Sequence, residues 1–329
     1  MKIVHCANFS ESKKGSVYYS IDRKISNGLI RNNHFVYDFS YREIAKNSTF
    51  FKSKKFGIKH ANSDLIKTVK NIEPELLLLG HSELILDETL IEIKKLFPKI
   101  KIAMWWVDWI FNLKNISSRL DTIDNFFITT DPYELKQMNV KEHILQKCSY
   151  IPNFCDSSID TFKAFESKKY AYDLLFIGRY DRDREPFINF LKETFSNLKL
   201  GLFGLDKTNI VNGSNYLKTI GSSKIGINYS RKNDISMYSS DRIIHLMANG
   251  VLVFSPKIPK LDEVFSGNEI VFFEDNEDFK EKTKYYLTHP KERIKIAKNG
   301  WEKAHSLFNE KTIAKNMIDE IFKKEDEIV

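Results

Sequence analysis

The sequence contains only three cysteines, at positions 6, 148 and 155, and no C-x-x-C pair. An odd count without paired spacing argues against a disulfide framework and indicates reduced thiols. Long apolar runs are equally scarce, since none approaches the roughly 20 residues that a membrane-spanning helix needs. The opening residues, Met1–Cys6, are typical of a first β-strand and not of a signal peptide. We therefore expect a cytoplasmic protein that touches a membrane only peripherally.

Four familiar catalytic motifs are also missing. No G-x-G-x-x-G follows the predicted strands at Lys2–Cys6 or Asp173–Ile177, which argues against a nicotinamide-dependent dehydrogenase. No G-x-x-x-x-G-K-[ST] loop, H-E-x-x-H helix or G-x-S-x-G turn is present, which argues against P-loop NTPases, zinc proteases and α/β-hydrolases. Basic stripes with interleaved aromatic residues are missing too, so we expect no nucleic-acid partner.

What the sequence does contain is typical of a soluble two-domain protein. It has 329 residues, of which 42% are hydrophobic and 29% charged, and this length suggests two domains. An excess of Lys and Arg (51) over Asp and Glu (44) gives a net charge of +7. That balance suits anionic substrates or work close to an anionic membrane.

Strand and helix patterns alternate along the chain. Continuous apolar runs such as Leu76–Leu79 are typical of parallel strands covered on both faces. The first half has six predicted strands: Lys2–Cys6, His34–Phe39, Leu76–Gly80, Ile100–Trp106, Asn125–Thr129 and Tyr150–Ile151. The second half has five: Asp173–Ile177, Leu198–Phe203, Lys224–Tyr229, Val251–Phe254 and Ile270–Phe273. This order is that of doubly wound α/β domains.

The polar stretch 156–169 separates the two halves. It predicts a first domain over residues 1–155, a second over 156–310 and a terminal segment over 311–329. The helix predicted at Thr312–Lys323 is expected to cross back to the first domain. Ligands of open α/β sheets bind at the carboxyl ends of the strands, so the loops after each strand carry the candidate site residues.

The segment from Ser239 to Gly250 holds the densest group of candidates. We expect a helix capped by Ser239 or Ser240 and ended by Gly250 in a left-handed conformation. Arg242 and the N–H groups at the helix start are candidates for binding phosphate. His245, one turn further on, is a candidate for binding phosphate or ribose.

Three further positions follow predicted strands of the second half. Gly178 ends a strand, where a glycine lets a phosphate approach the backbone, and Arg179 can bind that phosphate through two hydrogen bonds. Lys260 is another candidate phosphate contact. Arg184, in the charged loop beyond Gly178, is expected to be a solvated charge. The Asp-x-Asp pattern at Asp181 is expected to be solvated too, and we predict no metal.

Three side chains of the first half are candidates for the base that deprotonates an acceptor hydroxyl. His81, Glu83 and Asp108 each follow a predicted strand and are expected at the same edge of the sheet. Tryptophans flank Asp108, and one of them could stack on a sugar ring.

The second half resembles the nucleotide-sugar half of GT-B glycosyltransferases over roughly residues 170–310. Gly178-Arg179, the segment 241–254 and the tail 263–301 carry this likeness, which is closest to the subgroup related to the spore-maturation protein CgeB, of the glycosyltransferase family 1–4 type. In the first half, only the phrases Asn27–His34 and Pro152-Asn153 are similar to that family.

The resemblance implies two Rossmann-like domains facing across a cleft. It implies a nucleotide-sugar donor (CMP-, UDP- or GDP-linked) on the second domain, with Glu263 as a donor contact, and a glycan or glycolipid acceptor on the first. The expected activity is metal-independent and cofactor-free sugar transfer to a bacterial surface glycan: lipopolysaccharide, O-antigen or capsule. Many such enzymes carry a Glu-x7-Glu pattern, but Met237 and His245 occupy its positions here.

Three alternatives remain open, and one of them, a nucleotide-sugar epimerase on the same fold, has no positive sign in the sequence. The phrase around Asp241 also resembles the retaining Kdo transferase modules of bacterial polysaccharide synthases, which use a CMP-linked donor, and Asp241 would then be a nucleophile. The missing carboxylates at Met237 and His245 instead suit a catalytically silent module that binds a sugar or nucleotide in envelope or coat assembly.

Overall fold

The computed structural model describes residues 1–112, 116–138 and 140–323. The chain divides into two compact units. The first unit comprises Met1–Ile128, Pro132–Ile151 and the stretch that begins at Glu310. The second unit comprises Thr129–Asp131 and Pro152–Asn309.

The first unit is built on a six-stranded parallel sheet with the strand order β2-β1-β3-β4-β5-β6. Its strands are β1 (Lys2–Ala7), β2 (Phe35–Ser40), β3 (Leu76–Gly80), β4 (Lys101–Trp106), β5 (Asn125–Ile128) and β6 (Cys148–Tyr150). The helices between them are α1 (Ile21–Arg31), α2 (Tyr41–Asn47), α3 (Ile58–Ile72), α4 (Asp87–Leu96), α5 (Ile116–Thr122) and α6 (Glu142–Leu145). All five residues of β3 are buried, as its unbroken apolar run predicts for a strand covered on both faces.

The second unit is built on a five-stranded parallel sheet with the order β11-β10-β9-β7-β8. Its strands are β7 (Tyr172–Ile177), β8 (Leu200–Phe203), β9 (Ser223–Ile227), β10 (Leu252–Pro256) and β11 (Val271–Phe273). Its helices are α7 (Glu185–Thr194), α8 (Ser214–Gly221), α9 (Arg242–Ala248), α10 (Leu261–Val264), α11 (Asn276–Thr288) and α12 (Pro290–Ser306). A final helix, α13 (Glu310–Ile321), belongs to the first unit.

Both sheets reverse their strand order at one point. In the first unit the chain runs from β1 outward to β2 and then returns to the other side of β1 with β3. In the second unit it runs from β7 to β8 and returns with β9. The connections diverge at such switch points and leave a crevice at the carboxyl edge of the sheet. These two edges are therefore where ligand-binding residues are expected.

The prediction of two doubly wound α/β domains is confirmed, and every predicted strand is present with ends within two residues. The helix predicted at Thr312–Lys323 corresponds to α13, with both ends two residues earlier. Within the described residues, no helix combines the length and the apolar character needed to cross a bilayer.

The last helix packs closely on the first. A Cβ atom on Gly28 of α1 would lie 2.1 Å from the carbonyl oxygen of Glu310 and 2.9 Å from Cβ of Ala314. The buried carboxylate of Glu310 pairs with Arg31, and Nδ2 of Asn32 donates to the carbonyl of Lys311 over 2.8 Å. Only glycine at position 28 allows the two backbones this approach.

We expect Gly28→Ala to lower the free energy of unfolding by about 1–3 kcal/mol, because overpacking at the α1–α13 contact outweighs the roughly 1 kcal/mol gain in helix propensity. Urea unfolding measures this change. Gly267→Ala is the matched control, since a Cβ there meets no atom within 4 Å and should leave stability almost unchanged. A stabilised Gly28→Ala protein would contradict the packing argument.

Candidate functional site

Arg242 ties together the two strand ends that flank the switch point of the second unit. Its Nε donates to the carbonyl of Ile177, at the end of β7, over 2.6 Å. Its Nη1 donates to the carbonyl of Tyr229, just beyond β9, over 2.9 Å. Burial, together with the nearby Arg184, lowers the pKa of Arg242 to about 10. The guanidinium therefore stays charged at neutral pH and places a fixed cation at this edge of the sheet.

Arg184 adds a second buried cation at the same place. Its guanidinium lies 5.7 Å from the centre of the Phe176 ring, and that of Arg242 lies 4.8 Å from the same ring. The two side chains are only 5% and 7% exposed, and burial lowers the pKa of Arg184. The carboxylate of Asp181, which acts to raise that pKa, pairs with Arg231 over 2.9 Å instead.

Neither buried arginine forms an ion pair with a carboxylate in the part of the chain that the structure describes. Nε of Arg184 is buried there without any hydrogen-bond partner. Charged groups are costly to bury unless a counter-charge or hydrogen bonds compensate them. Two neighbouring guanidiniums in this state form a site suited to an anion with several oxygens, such as a diphosphate.

The expectation that Arg184 is a solvated charge is wrong. The residue directly precedes α7, whose start is marked by Pro186, and a short 3-10 turn at Arg182–Arg184 folds the loop back. A basic residue between a strand-end glycine and a proline-marked helix start is the sequence signal that could have identified it.

Gly178 and Arg179 differ in their surroundings. A Cβ on Gly178 would lie 2.8 Å from Nη1 of Arg184, so the glycine makes room for the buried guanidinium. The amide of Gly178 already donates to the carbonyl of Phe203 over 3.0 Å. Arg179 is exposed, and its side chain has no partner among the described residues. A role for either in binding the donor stays a prediction.

The predicted serine cap of the central helix is wrong. Helix α9 begins at Arg242, and Asp241 occupies the N-cap position without a side-chain cap. Asp241 has helical dihedral angles there (φ −56°, ψ −15°), and these differ from the extended conformation of a capping residue. The left-handed conformation predicted for Gly250 is confirmed, with φ of 75°.

The two serines before α9 have other partners. The hydroxyl and carbonyl oxygens of Ser239 both accept from Nδ2 of Asn153, over 3.3 and 3.0 Å. The amide of Ser240 donates to Oγ of Ser230 over 3.2 Å, while Oγ of Ser240 is buried without a partner among the described residues. That unpaired hydroxyl, together with exposed Asp241, keeps Ser240 a candidate for ligand binding.

His245 and Lys260 are engaged inside the second unit. Nδ1 of His245 lies 2.9 Å from the hydroxyl of Tyr216 in α8, and the imidazole is 3% exposed. Nζ of Lys260 lies 2.7 Å from the buried carboxylate of Asp131. Glu263 is exposed on α10. The donor-binding roles predicted for these three side chains stay predictions.

In the first unit, His81 occupies a strained turn directly after β3. His81 and Ser82 both have left-handed backbones, with φ of 55° and 39°, a conformation that costs non-glycine residues roughly 1–2 kcal/mol each. The imidazole stacks on Trp106, with ring centres 4.0 Å apart and planes 16° apart. Burial lowers its pKa to about 4, although Asp108 and Glu83 act to raise it. His81 is therefore neutral at pH 7 and able to accept a proton.

The other two candidate bases lie near His81 but differ in their partners. Glu83 accepts a hydrogen bond from the hydroxyl of Tyr41 and pairs with Arg42. Asp108 is exposed, and Oδ1 accepts the amide of Trp109 over 2.8 Å. The structure thus brings the three predicted side chains to one edge of the sheet, and Arg42 is a neighbour that sequence reasoning missed.

A buried chain of hydrogen bonds runs from Trp105, beside His81, to Asp38. Nε1 of Trp105, whose ring lies 5.4 Å from that of His81, donates to Nε2 of His5 over 3.1 Å. Nδ1 of His5 must then carry the hydrogen, which it donates to Oγ of Ser26 over 2.8 Å. Ser26 in turn donates to Asp38 over 2.6 Å. Burial lowers the pKa of His5 to about 3, so this ring is neutral.

Solved structures with the same architecture span nearly the whole chain. A sucrose-phosphate synthase from Thermosynechococcus elongatus is similar with a TM-score of 0.65 over 97% of this chain and 98% of its own, at 12% identity. The Anabaena protein HepE, in complex with UDP and glucose, has a TM-score of 0.60 over 97% and 98% of the two chains, at 10% identity. The fold is GT-B.

The GT-B fold is shared by more than one class of enzyme. A UDP-GlcNAc 2-epimerase from Neisseria meningitidis, bound to UDP-GlcNAc, is similar with a TM-score of 0.50 over 98% of this chain and 100% of its own, at 11% identity. Likeness at this identity establishes the fold alone. The activity must be argued from the site.

The family comparison covers a shorter part of the chain than the structural comparisons do. Residues 178–319 match a family described as glycosyl transferase-like. This segment begins at Gly178 and includes both buried arginines. It confirms the predicted likeness of the second half to glycosyltransferases, whereas the CgeB-like and Kdo types stay predictions. No curated protein sequence matches the chain.

We expect the protein to lose stability as the pH falls from about 6.5 towards 3. The unfolded chain binds a proton on His5 in this range and the folded chain does not, which costs up to about 1.4 kcal/mol per pH unit. His81 acts in the same direction until the pH reaches its own lowered pKa, near 4. Thermal unfolding at several pH values measures the slope.

His5→Gln should make that slope shallower, even if the variant is less stable at pH 7. The wild-type slope, measured in the same buffers, is the reference for this comparison. An unchanged slope in His5→Gln would show that His5 titrates in the folded protein much as it does in the unfolded chain.

Proposed function

We propose that this GT-B protein is a glycosyltransferase that moves a sugar from a nucleotide-sugar donor to a glycan or glycolipid acceptor of a bacterial surface polysaccharide. The observation that carries the proposal is the pair of buried guanidiniums, Arg184 and Arg242, at the switch point of the second unit. They lie in the segment that matches the glycosyl transferase-like family.

The donor is a nucleoside diphosphate sugar in this proposal. Two guanidiniums can neutralise a diphosphate, so we propose that donor binding needs neither metal nor cofactor. UDP is the first nucleotide to test, because HepE was solved with UDP and glucose and the epimerase with UDP-GlcNAc. CMP and GDP are the comparison ligands.

The chemistry divides between the two units. The acceptor oxygen forms a bond to the anomeric carbon of the donor sugar, and the bond from that carbon to the phosphate oxygen breaks. The nucleotide leaves with the electron pair, which the two guanidiniums stabilise. The acceptor proton passes to a base in the first unit, and His81 is our first candidate because it is neutral and partly exposed. Asp108 is the second candidate, since Glu83 is already paired with Arg42.

One observation favours a second candidate function. The carboxylate of Asp241 is exposed and makes no side-chain hydrogen bond or ion pair among the described residues, which leaves it available as a nucleophile. In a retaining Kdo transfer this carboxylate would bond to the anomeric carbon as CMP leaves with the electron pair. The acceptor hydroxyl would then displace it and release its proton to a base. Preferred binding of CMP would favour this candidate over transfer from a UDP-linked sugar.

The proposed cellular location follows from the chemistry of the acceptor. A glycolipid acceptor and a soluble nucleotide sugar meet at the cytoplasmic face of the inner membrane. We therefore propose a cytoplasmic protein in peripheral contact with that membrane. A silent binding module remains the alternative that donor turnover would exclude.

We expect Arg184→Gln to weaken UDP binding about 10- to 100-fold, because a hydrogen bond to a charged group contributes about 1.5–3 kcal/mol. Uridine, which has no phosphate, should bind the wild type and the Arg184→Gln variant with the same affinity. Calorimetry with UDP, CMP, GDP and uridine measures both. Arg184 is a better probe than Arg242, whose removal would also leave the carbonyls of Ile177 and Tyr229 without their donor.

The matched control is Arg182→Gln, which removes an exposed arginine from the same loop and should leave UDP affinity unchanged. Equal UDP affinity in the Arg184→Gln and wild-type proteins would refute the assignment of the diphosphate to the buried pair. A loss of uridine binding as well would point to a collapsed pocket.

We expect His81→Asn to lower kcat by about 10²–10⁴-fold while donor affinity is unchanged, as for a lost general base. In the wild type, the acid limb of the pH–rate profile should lie well below 6.5, because burial lowers the pKa of His81 to about 4. Steady-state kinetics against pH measures both. His60→Asn, at an exposed position, is the control, and an unchanged kcat in His81→Asn would move the base to Asp108.

A further inference from the structure

The loop between α2 and α3 presents three phenylalanine side chains to solvent. Phe50, Phe51 and Phe56 are 94%, 83% and 77% exposed, more than any other large hydrophobic side chain in the described residues. The rings of Phe50 and Phe51 contact each other edge to face, with centres 5.3 Å apart. An exposed apolar cluster of this kind marks an interaction surface.

The backbone of this loop is closed and ordered by its own hydrogen bonds. A Cβ on Gly57 would lie 1.8 Å from the carbonyl oxygen of Ala45, so the far end of the loop returns to α2. The amide of Lys52 donates to the carbonyl of Thr49 over 3.0 Å, and the amide of Gly57 to that of Ser53 over 3.3 Å. The phenylalanines therefore project from a folded turn. We call residues 48–57 the Phe–Lys loop.

Positive charge surrounds the exposed rings. Five lysines lie in or beside the loop, and no Asp or Glu occurs from Ile44 to Ser63. None of the five forms an ion pair within the described residues, and all but the first are exposed. They are Lys46, Lys52, Lys54, Lys55 and Lys59. The patch thus combines apolar rings with uncompensated cations.

We propose that the Phe–Lys loop docks the protein on an anionic lipid bilayer. Aromatic rings insert at the boundary between headgroups and acyl chains, while lysines keep their charge among anionic headgroups. Charge complementarity favours this partner over a second copy of the chain, which would bring like charges together. Single-stranded nucleic acid suits a groove lined with stacking platforms, whereas these rings lie on a projecting turn.

The location of the loop connects docking to the candidate acceptor edge. Helix α2 begins with Tyr41 and Arg42, the two residues that bind Glu83 beside His81, and the loop follows its other end. Seven helical residues span about 10 Å, so docking would bring a lipid-linked hydroxyl near this edge. The inference rests on the proposed function only for the identity of that acceptor.

The test is cosedimentation of the full chain with vesicles. The wild type should bind vesicles that contain phosphatidylglycerol, bind pure phosphatidylcholine weakly and dissociate at high salt. Replacing the three phenylalanines together (Phe50→Ser, Phe51→Ser and Phe56→Ser) should lower the partition coefficient by about tenfold or more. Because these side chains are exposed, the thermal unfolding of the variant should match the wild type.

A matched control replaces three exposed apolar residues elsewhere (Ile91→Ser, Ile210→Ser and Leu307→Ser) and should bind vesicles as the wild type does. The variants Lys52→Gln, Lys54→Gln and Lys55→Gln should each weaken binding to anionic vesicles by about fivefold. The proposal is overturned if the wild type ignores anionic vesicles, if the phenylalanine variant binds them equally, or if a single-stranded oligonucleotide displaces the protein from them.

A measurement of sugar transfer beside vesicle binding distinguishes a failure of this inference from a failure of the proposed function. A phenylalanine variant that loses vesicle binding but transfers sugar to a water-soluble acceptor supports both. If the wild type binds vesicles through the loop but transfers no sugar to any acceptor, docking stands and the proposed function fails.

Discussion

The hydrogen bonds from Arg242 to the carbonyls of Ile177 and Tyr229 are the interaction on which the rest of the second unit depends. Parallel strands end in carbonyl groups, so the edge where a ligand binds is lined with partial negative charge. A buried guanidinium satisfies two of these carbonyls and brings a positive charge to the edge. Arg184, beside the same Phe176 ring, adds a second positive charge there.

The two units share one topology but differ in the charge of the side chains at the edge of the sheet. The second unit places two buried guanidiniums at its switch point, an arrangement that suits an anion with several oxygens. The first unit holds a neutral imidazole, His81, stacked on Trp106 with the carboxylates of Glu83 and Asp108 nearby. Burial disfavours the charged form in both units. It cannot neutralise Arg242 at pH 7, because the pKa of that side chain falls only to about 10, whereas it keeps His81 uncharged.

The two positions of the Glu-x7-Glu pattern carry no carboxylate in this chain. Met237 has a left-handed backbone, with φ of 59°, and its amide donates to the carbonyl of Pro259 over 2.8 Å. His245 is buried against Tyr216. Neither supplies an exposed carboxylate, so recognition of a donor would fall to the arginine pair and to groups such as Ser240 and Asp241. A GT-B enzyme can change its donor contacts in this way because function resides in loops that the sheets merely position.

The sequence by itself determined the strands, their parallel pairing and the edge at which the site lies, because unbroken apolar runs such as Leu76–Leu79 report local burial directly. Gly250 was predictable for the same reason, since its left-handed turn is a local requirement. Only the tertiary structure decided the state of each charged side chain. Arg184 is buried because the loop folds back over Phe176 and Gly178, where the missing Cβ leaves room for its guanidinium. Ser239 is engaged by Asn153 instead of capping α9. That contact joins residues 86 positions apart in the chain, and no local pattern encodes it.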